Sequence, residues 1–273
     1  MPDFRSPSEI HRILSKTPIL MYHKIDPRLE FGINALSPSR FKMHVEWLRG
    51  QGFHAIIFSD ILSNRALPEK PVIITFDDAY ESVYHHAFPI LAAAGFRATV
   101  YVITNYIGKL NTWDMNLGGI CFRHMTAQQL TEISKKGWEI GSHTCTHRAL
   151  TRLNDSQLKR EFSKSFQQLS ALTNGPVISV AYPFGMQNGQ VRRAAKSAGY
   201  TFACGSIRGT TSQNLFSLCR IPVYQFENVT ALKRKLQASL PALEKIKLSI
   251  LGFPAQLTPV YQRLFKPELF LDP

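Results

Sequence analysis

Little in this 273-residue sequence speaks for export or for a membrane span. No run of about 18 apolar residues occurs. The first twenty residues carry Asp3, Arg5, Glu9, Arg12 and Lys16, where a signal peptide needs an unbroken apolar run of roughly 7–15 residues. Cysteine is scarce: Cys121, Cys145, Cys204 and Cys219 form no CxxC pair, which excludes the disulfide framework of a small secreted domain and a paired-thiol zinc site. These absences lead us to expect a cytoplasmic protein in a reducing compartment.

Acidic residues are also few, 19 against 32 Lys and Arg, giving a formal net charge of +13. The deficit is concentrated in residues 151–220, which hold nine basic and two acidic side chains. Together with Lys233, Arg234, Lys235, Lys245 and Lys247, this excess favours an anionic partner and leads us to expect peripheral contact with an anionic membrane at its inner face. A solvated basic face explains the charge equally well. Nucleic-acid binding would rest on charge alone and is not expected, and the sequence carries no signal of oligomeric state.

What is present is a foldable core, 44% apolar with 18 Phe. Short runs rich in Val, Ile, Phe and Tyr alternate with segments of helical period, the pattern of βαβ units around a parallel sheet or barrel. Strands are expected at residues 18–23, 55–58, 71–76, 98–103, 139–142, 177–182 and 201–205. Helices are expected over 37–50, 82–94, 126–136, 155–172, 189–197 and 228–251, the last basic and amphipathic. Gly52, Gly95, Gly137 and Gly199 follow helical patterns as C-terminal caps would. No repeat or linker interrupts the chain, so a single α/β domain is expected, with residues 1–227 forming the barrel and 228–273 a C-terminal helix and tail on or near it.

Three strand ends carry chemistry. Thr75-Phe76-Asp77-Asp78 places two carboxylates after an apolar strand, at the end where α/β barrels hold their active sites. Neighbouring residues of an extended chain point to opposite sides, so the two acids can serve different roles; capping of the following helix is the plain alternative. His143-Thr144-Cys145-Thr146-His147 follows another strand, and two imidazoles four residues apart, with a carboxylate, make a zinc-type ligand set. A purely structural role for both motifs loses weight because they fall at equivalent edges of one sheet. Cys145, between the histidines, reads as a small buried side chain. Ala181-Tyr182-Pro183-Phe184-Gly185 is a turn able to expose a backbone N–H, or an ordinary turn.

The ordered set TFDD, HTCTH and AYPFG resembles the polysaccharide deacetylase family, also called carbohydrate esterase family 4 or the NodB homology domain, most firmly between Lys70 and Tyr200. The resemblance implies a distorted (β/α) barrel, a catalytic base at Asp77, and one divalent metal on Asp78, His143 and His147. Zinc is the expected ion, with cobalt, nickel or manganese as alternatives, and the Phe184 N–H is implied as an oxyanion donor. Two features depart from the family pattern: Ala181 stands where an arginine normally orients the base, and no histidine follows His147 to act as acid. Met21-Tyr22-His23-Lys24-Ile25 resembles an N-terminal motif of the circularly permuted poly-N-acetylglucosamine deacetylases, which implies His23 as the acid. Trp113, Asp114, Tyr182 and Arg220 are candidate substrate-binding residues, with Arg220 also a candidate to hold Asp77. The implied activity is metal-dependent removal of N-acetyl groups from amino sugars of a polysaccharide, oligosaccharide or glycolipid glycan. An amidohydrolase of small non-sugar amides and an inactive glycan-binding module are the competing readings, the latter prompted by Ala181.

Overall fold

The computed structural model describes residues 4–28, 33–114, 120–173, 176–206 and 214–237. It opens with a helix absent from the sequence expectations, α1 (Pro7–Lys16), fixed by a capping box between Ser6 and Glu9 and by Pro7 in the first turn. There follow β1 (Ile19–Tyr22), β2 (Lys24–Ile25), β3 (Ala35–Leu36), α2 (Pro38–Gly50), β4 (His54–Ile56), α3 (Phe58–Leu62) and β5 (Pro71–Phe76). One π-helical turn at Val83–Ala87 leads into α4 (Phe88–Ala93). Then come β6 (Thr99–Val102), α5 (Ala127–Lys135), β7 (Glu139–Ser142), α6 (Asp155–Thr173), β8 (Ser179–Ala181), α7 (Gly189–Ser197), β9 (Phe202–Ser206), β10 (Leu218–Cys219), β11 (Ile221–Pro222) and α8 (Val229–Leu236). All seven expected strands form within two residues of their expected bounds. The four cap glycines all adopt positive φ, from 72° to 104°.

Nine strands pair in one sheet, every pairing parallel, in the order β10-β9-β8-β7-β6-β5-β1-β11 with β4 also on β5. Ile73 is in register with both Ile19 and Ile56, so β1 and β4 lie on opposite edges of β5. The two outermost strands, β10 and β11, are separated in sequence by Arg220 alone. A single residue therefore joins the two edges of a nearly closed barrel. Of the basic C-terminal helix expected over 228–251, the described part is α8. Its Leu232 is buried in the main core, while Lys235 is itself buried, donates to the Pro222 carbonyl at 2.6 Å and pairs with Glu227. Lys235 is thus removed from the expected basic surface, and Lys245 and Lys247 lie outside the described residues.

Side-chain alternation sorts each strand into two faces. Leu20, Tyr22, Val72, Ile74, Phe76, Val100, Val102, Ile140, Val180 and Ala203 join the core beneath the helices. Ile19, Ile73, Tyr101, Ala181, Phe202 and Cys204 form a second cluster inside the barrel. Gly141 takes an inward position because a Cβ there would stand 2.5 Å from the Tyr101 ring and 2.9 Å from the Ser179 hydroxyl.

At the barrel end opposite the strand C-termini, Glu139 is buried and accepts from the Ser59 amide at 2.9 Å, the Ser179 hydroxyl at 3.1 Å and the Thr99 hydroxyl at 3.4 Å. Burial outweighs these donors and pushes its carboxyl up to about 7. The native state therefore keeps a proton that the unfolded chain releases near the ordinary glutamate value, and unfolding free energy falls as pH rises through that window, by about 3 kcal/mol. Urea unfolding at pH 5 and pH 7.5 should show wild type losing stability relative to Glu139→Gln over this interval. Parallel profiles for the two proteins would mean that Glu139 ionises normally.

Candidate active site

The inward alternation of β5 runs through Ile73 and Thr75 and continues to Asp77, whose amide still donates to Tyr22 across the strand pair at 2.9 Å. Asp77 is thereby delivered to the barrel axis at the C-terminal rim. Arg220 reaches it from the junction of β10 and β11: its two terminal nitrogens lie 2.6 and 2.7 Å from Asp77 Oδ1 and Oδ2, and one of them is 3.3 Å from the Thr75 hydroxyl. Its guanidinium carbon also stands 5.4 Å from the Tyr101 ring centroid. Both partners are buried. Burial alone would raise the Asp77 carboxyl, but the Arg220 charge, aided by His143, overrides it and holds Asp77 down to about 2. The guanidinium that Ala181 cannot supply thus reaches Asp77 from residue 220.

The next residue breaks the alternation. Asp78 has φ 68° and Ala79 φ 53°, left-handed conformations that turn the second carboxylate toward the two histidines. Thr144 (66°), His147 (57°) and Phe184 (58°) complete the non-glycine residues of positive φ among the described residues, so all five fall in the three motif loops. Each costs on the order of 1–3 kcal/mol and persists only where surrounding contacts over-determine it.

Asp78 Oδ1 lies 3.5 Å from His143 Nε2 and 3.4 Å from His147 Nε2, and the two nitrogens are 3.1 Å apart. A tetrahedral ion with bonds of about 2.0–2.1 Å sets its ligand atoms about 3.3 Å apart, so the three atoms already have the spacing of such a shell. His143 Nδ1 donates to the Ala181 carbonyl at 2.7 Å, which leaves the Nε2 lone pair aimed at the cluster. Burial lowers both imidazoles, His147 far below its ordinary value, so both are neutral donors of lone pairs. Burial, with Asp77 and Asp114 nearby, raises Asp78, and its Oδ1 is buried without a hydrogen-bond partner. An orphaned carboxylate oxygen facing two imidazole lone pairs fits a divalent cation. Asp77 Oδ2 stands 4.0 Å from His143 Nε2, beside the triad but outside it.

Two neighbours that the sequence reading passed over hold these loops. His124 Nδ1 donates to the Asp78 carbonyl at 2.6 Å, and its Nε2 accepts from the Trp113 indole at 3.2 Å. Glu161 on α6 accepts from the Cys145 and Thr146 amides at 2.8 and 3.0 Å, between the two metal-type histidines. Its sequence signal was an acid on the apolar stripe of α6, three residues after buried Leu158 and one before buried Phe162.

Among the other expected residues, His23 continues the inward series of β1 and feels the charges of Asp77, Arg220, Lys24 and His143; burial pushes it down to about 4. Phe184 sits in a 3-10 turn closed by the Gly185 and Met186 amides, its ring 4.7 Å from that of His147. Cys145 is buried, its thiol pushed up to about 11. Asp114 is half-buried near Asp78. The other three substrate-binding candidates are all buried. Tyr182 follows inward Ala181 and so points outward, fully buried, donating to the Phe216 carbonyl at 3.2 Å. Trp113 is 3% exposed with its ring 3.9 Å from that of His147, so it backs that imidazole and offers no open face to a sugar. Arg220 is committed to Asp77.

Replacing Arg220 by Met leaves the buried carboxylate without its counter-charge, a change that typically costs 3–5 kcal/mol unless the group protonates. Asp77 should protonate, moving the acid limb of the kcat/KM profile to higher pH and cutting neutral turnover by roughly 10²–10⁴-fold. Arg220→Lys, unable to make the two-pronged contact, should fall between. An unmoved acid limb in Arg220→Met would remove this role.

Comparison with known proteins agrees with the geometry. The chain is 29% identical over 216 residues to Bacillus subtilis YxkH, a protein named among the polysaccharide deacetylases, covering 77% of this chain and 72% of the relative. It is 26% identical over 201 residues to the poly-β-1,6-N-acetyl-D-glucosamine N-deacetylase of Staphylococcus aureus, covering 68% and 67% of the two chains. The structure superposes on the Streptococcus pyogenes deacetylase PplD, solved in complex with acetate, with a TM-score of 0.71 and 26% identity over 81% of this chain and 98% of that one. The sequence pattern of the polysaccharide deacetylase family matches residues 64–203, just over half of the chain, and this protein belongs to that family.

Proposed function

We propose that this protein hydrolyses the N-acetyl groups of N-acetylglucosamine units in a poly-β-1,6-linked glycan, releasing acetate and leaving free amines. The observation that carries the reading is Asp77, kept ionised by Arg220 and poised 4.0 Å from His143 of a triad spaced for a divalent ion. The substrate class is drawn from the Staphylococcus aureus relative. The inactive-module reading loses its motive, since Arg220 does for Asp77 what Ala181 cannot.

Asp78, His143 and His147 would hold the ion, zinc in our reading, which when bound polarises the acetyl carbonyl and acidifies water. Asp77, unprotonated and fixed by two hydrogen bonds, takes the proton of the attacking water. The Phe184 amide donates to the carbonyl oxygen as it gains negative charge. His23 gives a proton to the departing nitrogen. Burial leaves the His23 imidazole neutral at rest while the Asp77 carboxylate favours its protonation, so the proton it gives is the one that Asp77 takes from the water, passed on before the C–N bond breaks.

Protein purified without chelator should carry about one ion per chain and release acetate from poly-β-1,6-N-acetylglucosamine. Asp78→Ala and His147→Ala should lose the metal. Asp77→Asn should be inactive, and His23→Ala should turn over roughly 10²–10⁴-fold more slowly, both with metal retained. Acetate release from a small amide but from no glycan would select the amidohydrolase reading, and sugar binding without acetate the inactive one.

We further propose that the protein works at the inner face of an anionic membrane. Arg152, Lys159, Arg160 and Lys164, on or just before α6, and Arg193 and Lys196 on α7 are all exposed, and each basic residue near anionic lipid contributes about 1 kcal/mol. Four free cysteines are consistent with a reducing compartment, and no helix among the described residues is long and apolar enough to cross a membrane. Co-sedimentation with anionic vesicles should be strong at low salt and fade at high salt, with neutral vesicles binding little. Equal, negligible binding to both vesicle types at low salt would remove the proposal.

A further inference from the structure

The segment that carries both histidine ligands is not a helical turn. Thr144 and His147 are left-handed, at φ 66° and 57°, so the i,i+4 spacing of a helix does not bring the two imidazoles together; contacts from outside the loop must. They come largely from one face of α6. Glu161, buried, takes the Cys145 amide at 2.8 Å and the Thr146 amide at 3.0 Å on one carboxylate oxygen and the Thr146 hydroxyl on the other. One helical turn later Ser165, also buried, accepts from the Ser142 hydroxyl at 2.9 Å, and that hydroxyl in turn accepts from the Thr144 amide at 3.0 Å. Two further bonds, from the Thr104 and Asn105 amides to the Thr144 and Cys145 carbonyls, tie the loop to the end of β6 but leave the Cys145 and Thr146 amides to Glu161.

We propose that Glu161 is a positioning residue for the metal site: its carboxylate, by accepting three donors from residues 145 and 146, holds His147 in its left-handed backbone so that Nε2 meets Asp78 and His143 before any ion arrives. An amide in its place keeps one acceptor oxygen and turns an NH₂ group toward N–H donors. The loop then loses its anchor while the helix keeps its volume. The inference rests on the metal reading of the site, and the test separates the two.

Metal-free full-length protein is titrated with cobalt(II), reading the dissociation constant and the visible ligand-field bands, for wild type, Glu161→Gln, Glu161→Ala, Thr146→Val and the core control Ile133→Val. Wild type should bind about one ion with intense tetrahedral bands. Both Glu161 variants should bind about 10–100-fold more weakly, the range typical of lost outer-shell support, with altered bands. Thr146→Val should weaken binding by a smaller factor, and Ile133→Val should lower the melting temperature with affinity and bands unchanged. Wild-type affinity and bands in folded Glu161→Gln would overturn the role of Glu161. If Glu161→Ala does not fold, Glu161→Gln and Thr146→Val decide between the same two outcomes. A wild-type protein that binds no cobalt(II) would instead overturn the metal reading.

Discussion

The buried pair between Arg220 and Asp77 ties together closure of the barrel and the chemistry at its rim. Taking two charges out of water is costly, and a buried pair is tolerated only with near-ideal geometry and further hydrogen bonds. Both conditions hold: two contacts of 2.6 and 2.7 Å, a third to Thr75, and Tyr101 beneath the guanidinium. Arg220 is also the one residue between the strands that end the sheet on either side. Asp77 draws it to the axis, and the short strands flanking it are brought to β9 and β1 in the same stroke. An oppositely charged partner at this point thus keeps the base ionised and fixes where the two edges meet.

Strain is distributed in the complementary way. All five non-glycine left-handed residues of the described structure stand in the loops just beyond three of the strands. Each loop is held from a different neighbour: Asp78 by His124, the histidine loop by Glu161 and Ser142, and the Phe184 turn by its own backbone bonds. The strained backbone breaks strand alternation at Asp78, so that consecutive carboxylates can both face the rim, one on the guanidinium and one on the imidazoles. A strand continued through Asp78 would have sent it into the outer core with Phe76.

Much of this was legible in the sequence because strand alternation and motif order are local properties. The β5 run, the DD pair, the two histidines and the βαβ rhythm all stand where the pattern placed them. Arg220 was legible only as a candidate, since nothing local shows that residue 220 will meet residue 77; that contact is made by barrel closure. The outward setting of Tyr182 follows from carrying the alternation one residue beyond the motif strand: with Ala181 facing in, Tyr182 faces out. Trp113 was legible only as a substrate-binding candidate, and no sequence rule revealed that His147 would take its face. The first helix was missed for the opposite reason, its signal being a cap, Ser6-Pro7-Ser8-Glu9, and not a long apolar period.

The electrostatics of the rim explain why burial, which penalises charge elsewhere, favours an ion here. Asp77 and Arg220 neutralise each other. Burial keeps both metal-type imidazoles neutral and raises Asp78 toward its protonated form, so without an ion the triad is three polar groups in a dry pocket with no compensating charge. His143 Nδ1 donates to the Ala181 carbonyl, which leaves its Nε2 an acceptor, and Asp78 Oδ1 has no hydrogen-bond partner. Asp78, His143 and His147 would hold a divalent cation in place of the Asp78 proton, which would answer the carboxylate and both imidazoles at once. The same dry surroundings that make the ligands unhappy alone strengthen whatever they hold, and the Asp77 carboxylate, anchored on Arg220 and not on the triad, remains free to accept a proton beside it.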